Sequence, residues 1–143
     1  MSGINDQLQL KGHLQIHLND ELVQDIDNLV VTAGKNLVAS RLVGTSSDVM
    51  SHMAIGSGTT AAAAGNTALG TELGRVSLTS GTASAAVVTY VATFAAGTGT
   101  GAVTEAGLLN ASSGGTLLCR TVFSVVNKGA NDSMTVTWTV TVS

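Results

Sequence analysis

Residues 134–142 alternate without a break: Met134, Val136, Trp138, Val140 and Val142 fall on one side, and Thr135, Thr137, Thr139 and Thr141 on the other. A period of two is that of a β-strand whose successive side chains point to opposite faces. Residues 8–18 repeat the pattern, with Leu8, Leu10, Leu14, Ile16 and Leu18 opposed to Gln9, Lys11, His13, Gln15 and His17. This predicts a long strand with a polar outer side. Asn19-Asp20-Glu21 and Asp25-Ile26-Asp27-Asn28 consist of turn-formers, so residues 19–28 read as two turns around an unassigned segment, and Leu29-Val30-Val31 as the start of the next element. In residues 34–43, Leu37, Val38, Arg41 and Leu42 stand at helical offsets and Gly44 stands where a C-terminal cap belongs, which predicts one short helix. His52-Met53-Ala54-Ile55 predicts a strand. It runs into GSGTTAAAAGNTALGTELG, where four alanines between glycines are too few to nucleate a helix, so a long surface loop is expected.

From residue 75 onward the pattern is β throughout. Strands are predicted at 75–80, 85–95, 104–109, 116–127 and 133–143, separated by GT, GTGTG, NASSGG and NKGAND, all of them turn chemistries. Residues 87–94 are fairly apolar on both faces, which suggests burial on both sides, within a sandwich or beneath a partner. The expected architecture is all-β: an antiparallel jelly-roll-like β-sandwich of seven or eight strands with one short helix. A single domain over residues 1–143 is expected, with residues 1–30 as an N-terminal strand or arm.

The threonine face of residues 134–142 carries no Lys or Glu, the residues that usually guard a solvent-facing strand against pairing with another chain. Composition extends that observation. Only 10% of the 143 residues are charged, against about 25% in an ordinary globular chain, and from Val76 to the end there are four: Glu105, Arg120, Lys128 and Asp132. There is no proline to blunt an edge. Such a surface is weakly protected against association, so the threonines are expected to meet protein, either a second sheet or another subunit. A net charge of −3 with six Lys and Arg gives no footprint for nucleic acid or anionic lipid. There is no apolar run long enough to span a membrane as a helix, and the opening MSGINDQLQL lacks the basic-then-apolar pattern of a signal peptide. Synthesis in a cytosol, with no membrane or nucleic-acid partner, is the expectation.

Candidate chemistry is sparse. Cys119 is the sole cysteine, set in TLLCRTVF, and reads as a buried structural thiol. His13 and His17 share a face, but on a strand they lie about 13 Å apart and do not chelate one ion. His52 has no nearby acidic partner in the sequence. GSGTTAAAAG resembles a phosphate-binding loop only superficially, because Asn66-Thr67 stands where Lys-Ser/Thr is required. No serine lies in G-x-S-x-G. Among the acidic residues, Glu72 and Glu105 sit in apolar or glycine-rich surroundings, with Arg75 and Arg120 as plausible partners in buried or interfacial pairs. No catalytic residue, metal ligand or cofactor site is expected, and the chain reads as not an enzyme.

ALGTELGRVSL followed by AVTEAGLLNASSGGTLLCRTVFSVVNKGANDSMTVTWTVTVS resembles domains of tailed-phage virions. There an L-G-x-E-x-x-R segment precedes a T-E-A-G-L strand, an S-G-x-T-L-x-x-R strand and a closing threonine-alternating strand. The likeness spans roughly residues 53–143. Given one β-domain without fibrous repeats, the chain is similar to the small jelly-roll capsid cementing (decoration) proteins that bind the outside of a phage head. The resemblance implies a virion protein on the capsid exterior, made in the host cytoplasm, with the major capsid protein and further copies of itself (a dimer or trimer) as partners. A tail-fibre or baseplate domain that binds a receptor is the alternative. Glu72, Arg75, Glu105 and Arg120 occupy the motif's charged places and, with Trp138, are the interface or structural candidates.

Overall fold

A computed structural model describes residues 8–44 and 48–143; the leader-free reading of the first seven residues therefore lies outside the described residues. The alternating segments at the two ends of the chain become neighbouring strands. β1 (Leu10–Leu18) pairs antiparallel with β9 (Met134–Val142) along its whole length, Leu10 opposite Val142 and Leu18 opposite Met134. β2 (Glu21–Val30) follows, then α1 (Thr32–Leu42), β3 (His52–Gly56), β4 (Glu72–Ser77), β5 (Ser80–Ser84), β6 (Val87–Phe94), β7 (Gly101–Leu109) and β8 (Leu117–Lys128). Among the described residues they form one nine-stranded antiparallel sheet in the order β4-β3-β7-β8-β2-β1-β9-β6-β5.

This sheet folds over on itself as a jelly-roll-like sandwich. β2-β1-β9-β6-β5 make one layer and β4-β3-β7-β8 the other. β2 carries the chain between them, since it pairs with β1 along its length but with β8 only at Leu29 and Val30. The opposite corner is closed covalently: β4 and β5 lie at the two ends of the sheet, yet only Leu78 and Thr79 separate them. Leu78 N–H bonds to Ser51 O in one layer (2.9 Å) and Thr79 N–H to Val91 O in the other (2.7 Å). Leu14, Ile16, Phe94, Met134, Val136 and Trp138 from the first layer pack on Met53, Ile55, Ala106, Leu108 and Phe123 from the second. Each large apolar side chain so buried contributes roughly 1.5–3 kcal/mol. Cys119 is in this core, where burial pushes its thiol pKa well up.

Several sequence expectations need correction. Residues 21–30 are a strand, not two turns. Only Asn19 and Asp20 turn, both at positive φ (48° and 70°), the conformation a tight two-residue hairpin requires. Residues 10–30 are thus interior strands of the sheet. The helix begins at Thr32, and Gly44 at φ 68° follows its end as expected. β4 begins at Glu72, three residues before the expected start, β7 begins at Gly101, and β5 is a strand where none was predicted, which makes nine in place of seven or eight. In β6, Ala92 and Phe94 are buried, but Val87, Thr89, Val91 and Thr93 point away from the core, so within the chain itself that strand is buried on one side only and the sandwich does not cover the other.

Candidate functional site

The glycine-rich segment between β3 and β4 wraps an anion, and the anion belongs to the protein. Glu105, on β7, is fully buried and turned away from the main core. Its Oε2 accepts the backbone N–H of Gly58 (2.5 Å) and Thr71 (2.8 Å), and its Oε1 that of Gly70 (2.7 Å). Arg120, two residues along from the position facing it on β8, donates Nε to the same Oε1 (3.1 Å) and completes a salt bridge with Nη2 at 3.0 Å from it. The guanidinium also donates to Asn66 Oδ1 and Thr60 O, both at 3.0 Å. Gly58 has to be glycine, because a Cβ there would stand 2.3 Å from Glu105 Oε2. Ser57 N–H bonds to Thr71 O (2.8 Å), so the two ends of the 57–71 segment meet. What reads as a surface loop is a lid stitched onto the outer face of the β3/β7/β8 layer. Leu69 packs there with Val31, Ala54, Leu109 and Leu117, and Thr32 N–H at the start of α1 bonds to Ala64 O (2.8 Å).

Burial by itself would push the Glu105 carboxyl pKa up. The hydrogen bonds from Thr71, Gly70, Gly58 and Arg120 together outweigh it and hold the carboxyl below its ordinary range. A carboxyl depressed in the folded state stabilises the fold above its unfolded pKa, about 4.3 on the usual scale, and that contribution is lost as pH falls through the folded value. Urea unfolding at a series of pH values is therefore expected to give a stability that drops steadily below about pH 4. In Glu105→Gln the drop is expected to be shallower, by up to about 1.4 kcal/mol per pH unit. Parallel acid limbs for the two proteins would contradict this placement of the proton.

The remaining charged candidates also serve the fold. Arg75, on β4, donates Nη2 (2.7 Å) and Nε (3.2 Å) to the Glu72 carboxylate, and its Nη1 bonds Ala111 O and Gly114 O, both at 2.9 Å, clamping the β7–β8 turn. Lys128 is buried and donates Nζ to Ala95 O (2.9 Å) and Asp132 O (2.7 Å). Asp132 accepts from Gly129 N–H (2.7 Å) and from Asn19 Nδ2 (2.8 Å). All four charges after Val76 are thus tied into turns or the lid. Trp138 is fully buried, its indole N–H bonded to Asn28 Oδ1 (2.8 Å), which makes it a structural residue.

The other layer is covered differently. Thr135, Thr137, Thr139 and Thr141 face outward between His17, Gln15, His13 and Lys11 of β1 and Thr93, Val91, Thr89 and Val87 of β6, with Ser80, Thr82 and Ser84 of β5 beyond. Their inward neighbours, not they, meet the second sheet. α1 and the lid lie on the opposite layer, and no strand or helix of the described chain lies over this face. Its charge is confined to one border, where His13 bridges Asp27 (2.8 Å) and Asp25 of β2. Hydrogen bonds from Asp27 and then Asp25 raise the His13 pKa above its ordinary value, against the opposing effect of burial. From β9 to β5 the face carries only hydroxyls and methyls.

His52 lies between Ser51 Oγ (2.7 Å) and Ser77 Oγ (3.4 Å), a grouping that the sequence alone did not reveal because Ser77 is on the neighbouring strand. No carboxylate orients the ring among the described residues. Among those residues, no set of His, Cys, Asp and Glu is arranged to hold a metal ion, and no helix is long and apolar enough to cross a membrane. Comparison of the chain with protein-family models, with curated proteins and with solved structures finds no match.

Proposed function

We propose that the chain is a non-enzymatic virion protein, a cement that lies on the exterior of a tailed-phage head and bridges major capsid protein subunits. The observation that supports this reading most is the asymmetry of the sandwich. One outer face is sealed by the chain's own helix and lid, whereas on the other no described strand or helix covers the uncharged lattice of Thr, Ser and Val that β9, β6 and β5 present. Threonine suits a face to be covered by protein: it packs by its methyl and bonds by its hydroxyl, without the desolvation penalty of a charge. The three uncharged strands, β9, β6 and β5, about 4.8 Å apart and about 3.3 Å long per residue, make a face of roughly 350 Å². That is less than half of the roughly 800 Å² per partner of a standard interface, so each contact is modest and the effect on a shell comes from repetition.

Receptor binding by a tail fibre needs exposed aromatic side chains. Trp138, Phe94 and Phe123 are buried and Tyr90 is half-buried, which weighs against that alternative. The test is to add purified protein to phage heads lacking it and image them. Regular density on the head exterior is expected. Thr137→Lys, at the middle of the open face, is expected to fold within about 0.5 kcal/mol of the parent yet to lose at least tenfold in head binding. Absence of binding by the parent, or density on the tail alone, would overturn the reading.

A further inference from the structure

The border of the open face farthest from its charges is β5, Ser80–Ser84, and it is an unguarded sheet edge. All five of its residues are exposed, none is charged, none is proline, and nothing in the described chain pairs with its outer side. Natural edges are normally blunted by a Lys, a proline, a bulge or a covering loop. The chemistry that satisfies a bare row of N–H and C=O groups is another β-strand. Which strand follows from the residues.

The β5–β6 hairpin closes on a two-residue turn, Ala85-Ala86, with Ser84 opposite Val87. The closing pair of such a hairpin is hydrogen-bonded, and antiparallel pairs alternate. Ser84, Thr82 and Ser80 therefore direct their backbone groups at β6, and Gly81 and Ala83 direct theirs at the open edge. Ser-Gly-Thr-Ala-Ser is also nearly the same read backwards. If a second copy approaches antiparallel about a two-fold axis through Thr82, Gly81 meets Ala83 of the other copy and Ala83 meets its Gly81, both at hydrogen-bonding positions. Ser80 meets Ser84, and Thr82 meets Thr82 as a non-hydrogen-bonded pair. Every juxtaposition is between small, uncharged residues. Threonine against threonine is a favourable cross-strand pair.

We propose that the protein forms a two-fold dimer by antiparallel β5–β5 pairing centred on Thr82, joining the two open faces into one continuous sheet across the subunits. This names the self-association surface left open by the cement reading, but it stands on the edge alone.

Cysteine cross-linking reads the register directly, since Cys119 is buried. Paired residues at a non-hydrogen-bonded position have Cα atoms about 4.5 Å apart, within disulfide range. Thr82→Cys is therefore expected to form a covalent dimer on mild oxidation. Ser84→Cys alone, whose symmetry mate lies about 13 Å away along the strand, is expected to stay uncross-linked, although mixed with Ser80→Cys it should cross-link. By sedimentation the parent is expected at twice the chain mass and Thr82→Lys, which sets two like charges face to face, at one. Circular dichroism of Thr82→Lys establishes that it is folded. A parent that stays monomeric, a dimer that survives Thr82→Lys, or equal cross-linking of Thr82→Cys and Ser84→Cys would overturn the pairing. A dimer that ignores phage heads would strike the cement reading alone, and a monomer that binds them would strike this one alone.

Discussion

Changing Glu105 to alanine is expected to destabilise the protein more than any other single change to a charged residue. Breaking a buried ion pair by removing one partner typically costs about 3–5 kcal/mol, because the survivor is left charged and unpaired. Here the survivor is Arg120, 2% exposed, and the N–H groups of Gly58, Gly70 and Thr71 lose their acceptor at the same time. Against a total stability of about 5–15 kcal/mol for a domain, that is enough to leave the lid open or the chain partly unfolded. Arg120→Met is expected to be milder, since Glu105 keeps its three backbone donors and loses only the guanidinium. The double variant should fall short of the sum by about 0.5–3 kcal/mol, the usual coupling of residues in one network. Urea unfolding of the three variants, together with protease nicking within residues 57–71, measures all of this. If Glu105→Ala unfolds within about 1 kcal/mol of the parent, the carboxylate is not what holds the lid.

That lid marks the limit of what the sequence made legible. Strands whose two faces differ, β1 and β9 above all, were visible from alternation because one face of each is core and the other is not. β2 was hidden because Asp25, Asp27 and Asn28 favour turns when considered alone. In place, Asp25 and Asp27 meet His13 across the ladder and Asn28 meets Trp138, so tertiary pairing overrides local preference. β5 was hidden because Ser-Gly-Thr-Ala-Ser alternates only hydroxyls with small residues and carries none of the bulky side chains that mark a strand, and an edge strand needs none. The surroundings of Glu72 and Glu105 single them out in the sequence, with Arg75 and Arg120 as candidate partners, but which pairs with which comes from the fold. The purpose of the glycines was hidden, since Gly58 and Gly70 stand 47 and 35 residues before the carboxylate they bind. Nothing local to GSGTTAAAAG identifies the anion it is shaped to receive.

Trp138 provides the second large effect, and separates packing from association. It sits in the middle of β9, opposite Leu14 of β1 and Tyr90 of β6, wholly inside the sandwich. Its N–H holds the Asn28 side chain, which lies over Gly12 so closely that a Cβ at position 12 would overlap it. Trp138→Ala is expected to lose about 3–5 kcal/mol through the cavity it leaves. Trp138→Phe keeps most of the ring volume and removes the donor, leaving Asn28 Oδ1 unpaired beside an Nδ2 that is already without a partner, and is expected to lose about 1–3 kcal/mol. Thermal unfolding followed by circular dichroism reads both, since neither variant retains a tryptophan to follow by fluorescence. The ordering matters more than either value: Phe close to the parent and Ala far below it means that volume dominates, and equal losses mean that the Asn28 bond does. A Trp138→Phe protein with parental stability but no affinity for its partner would place the indole at an interface, which its complete burial in the isolated chain contradicts.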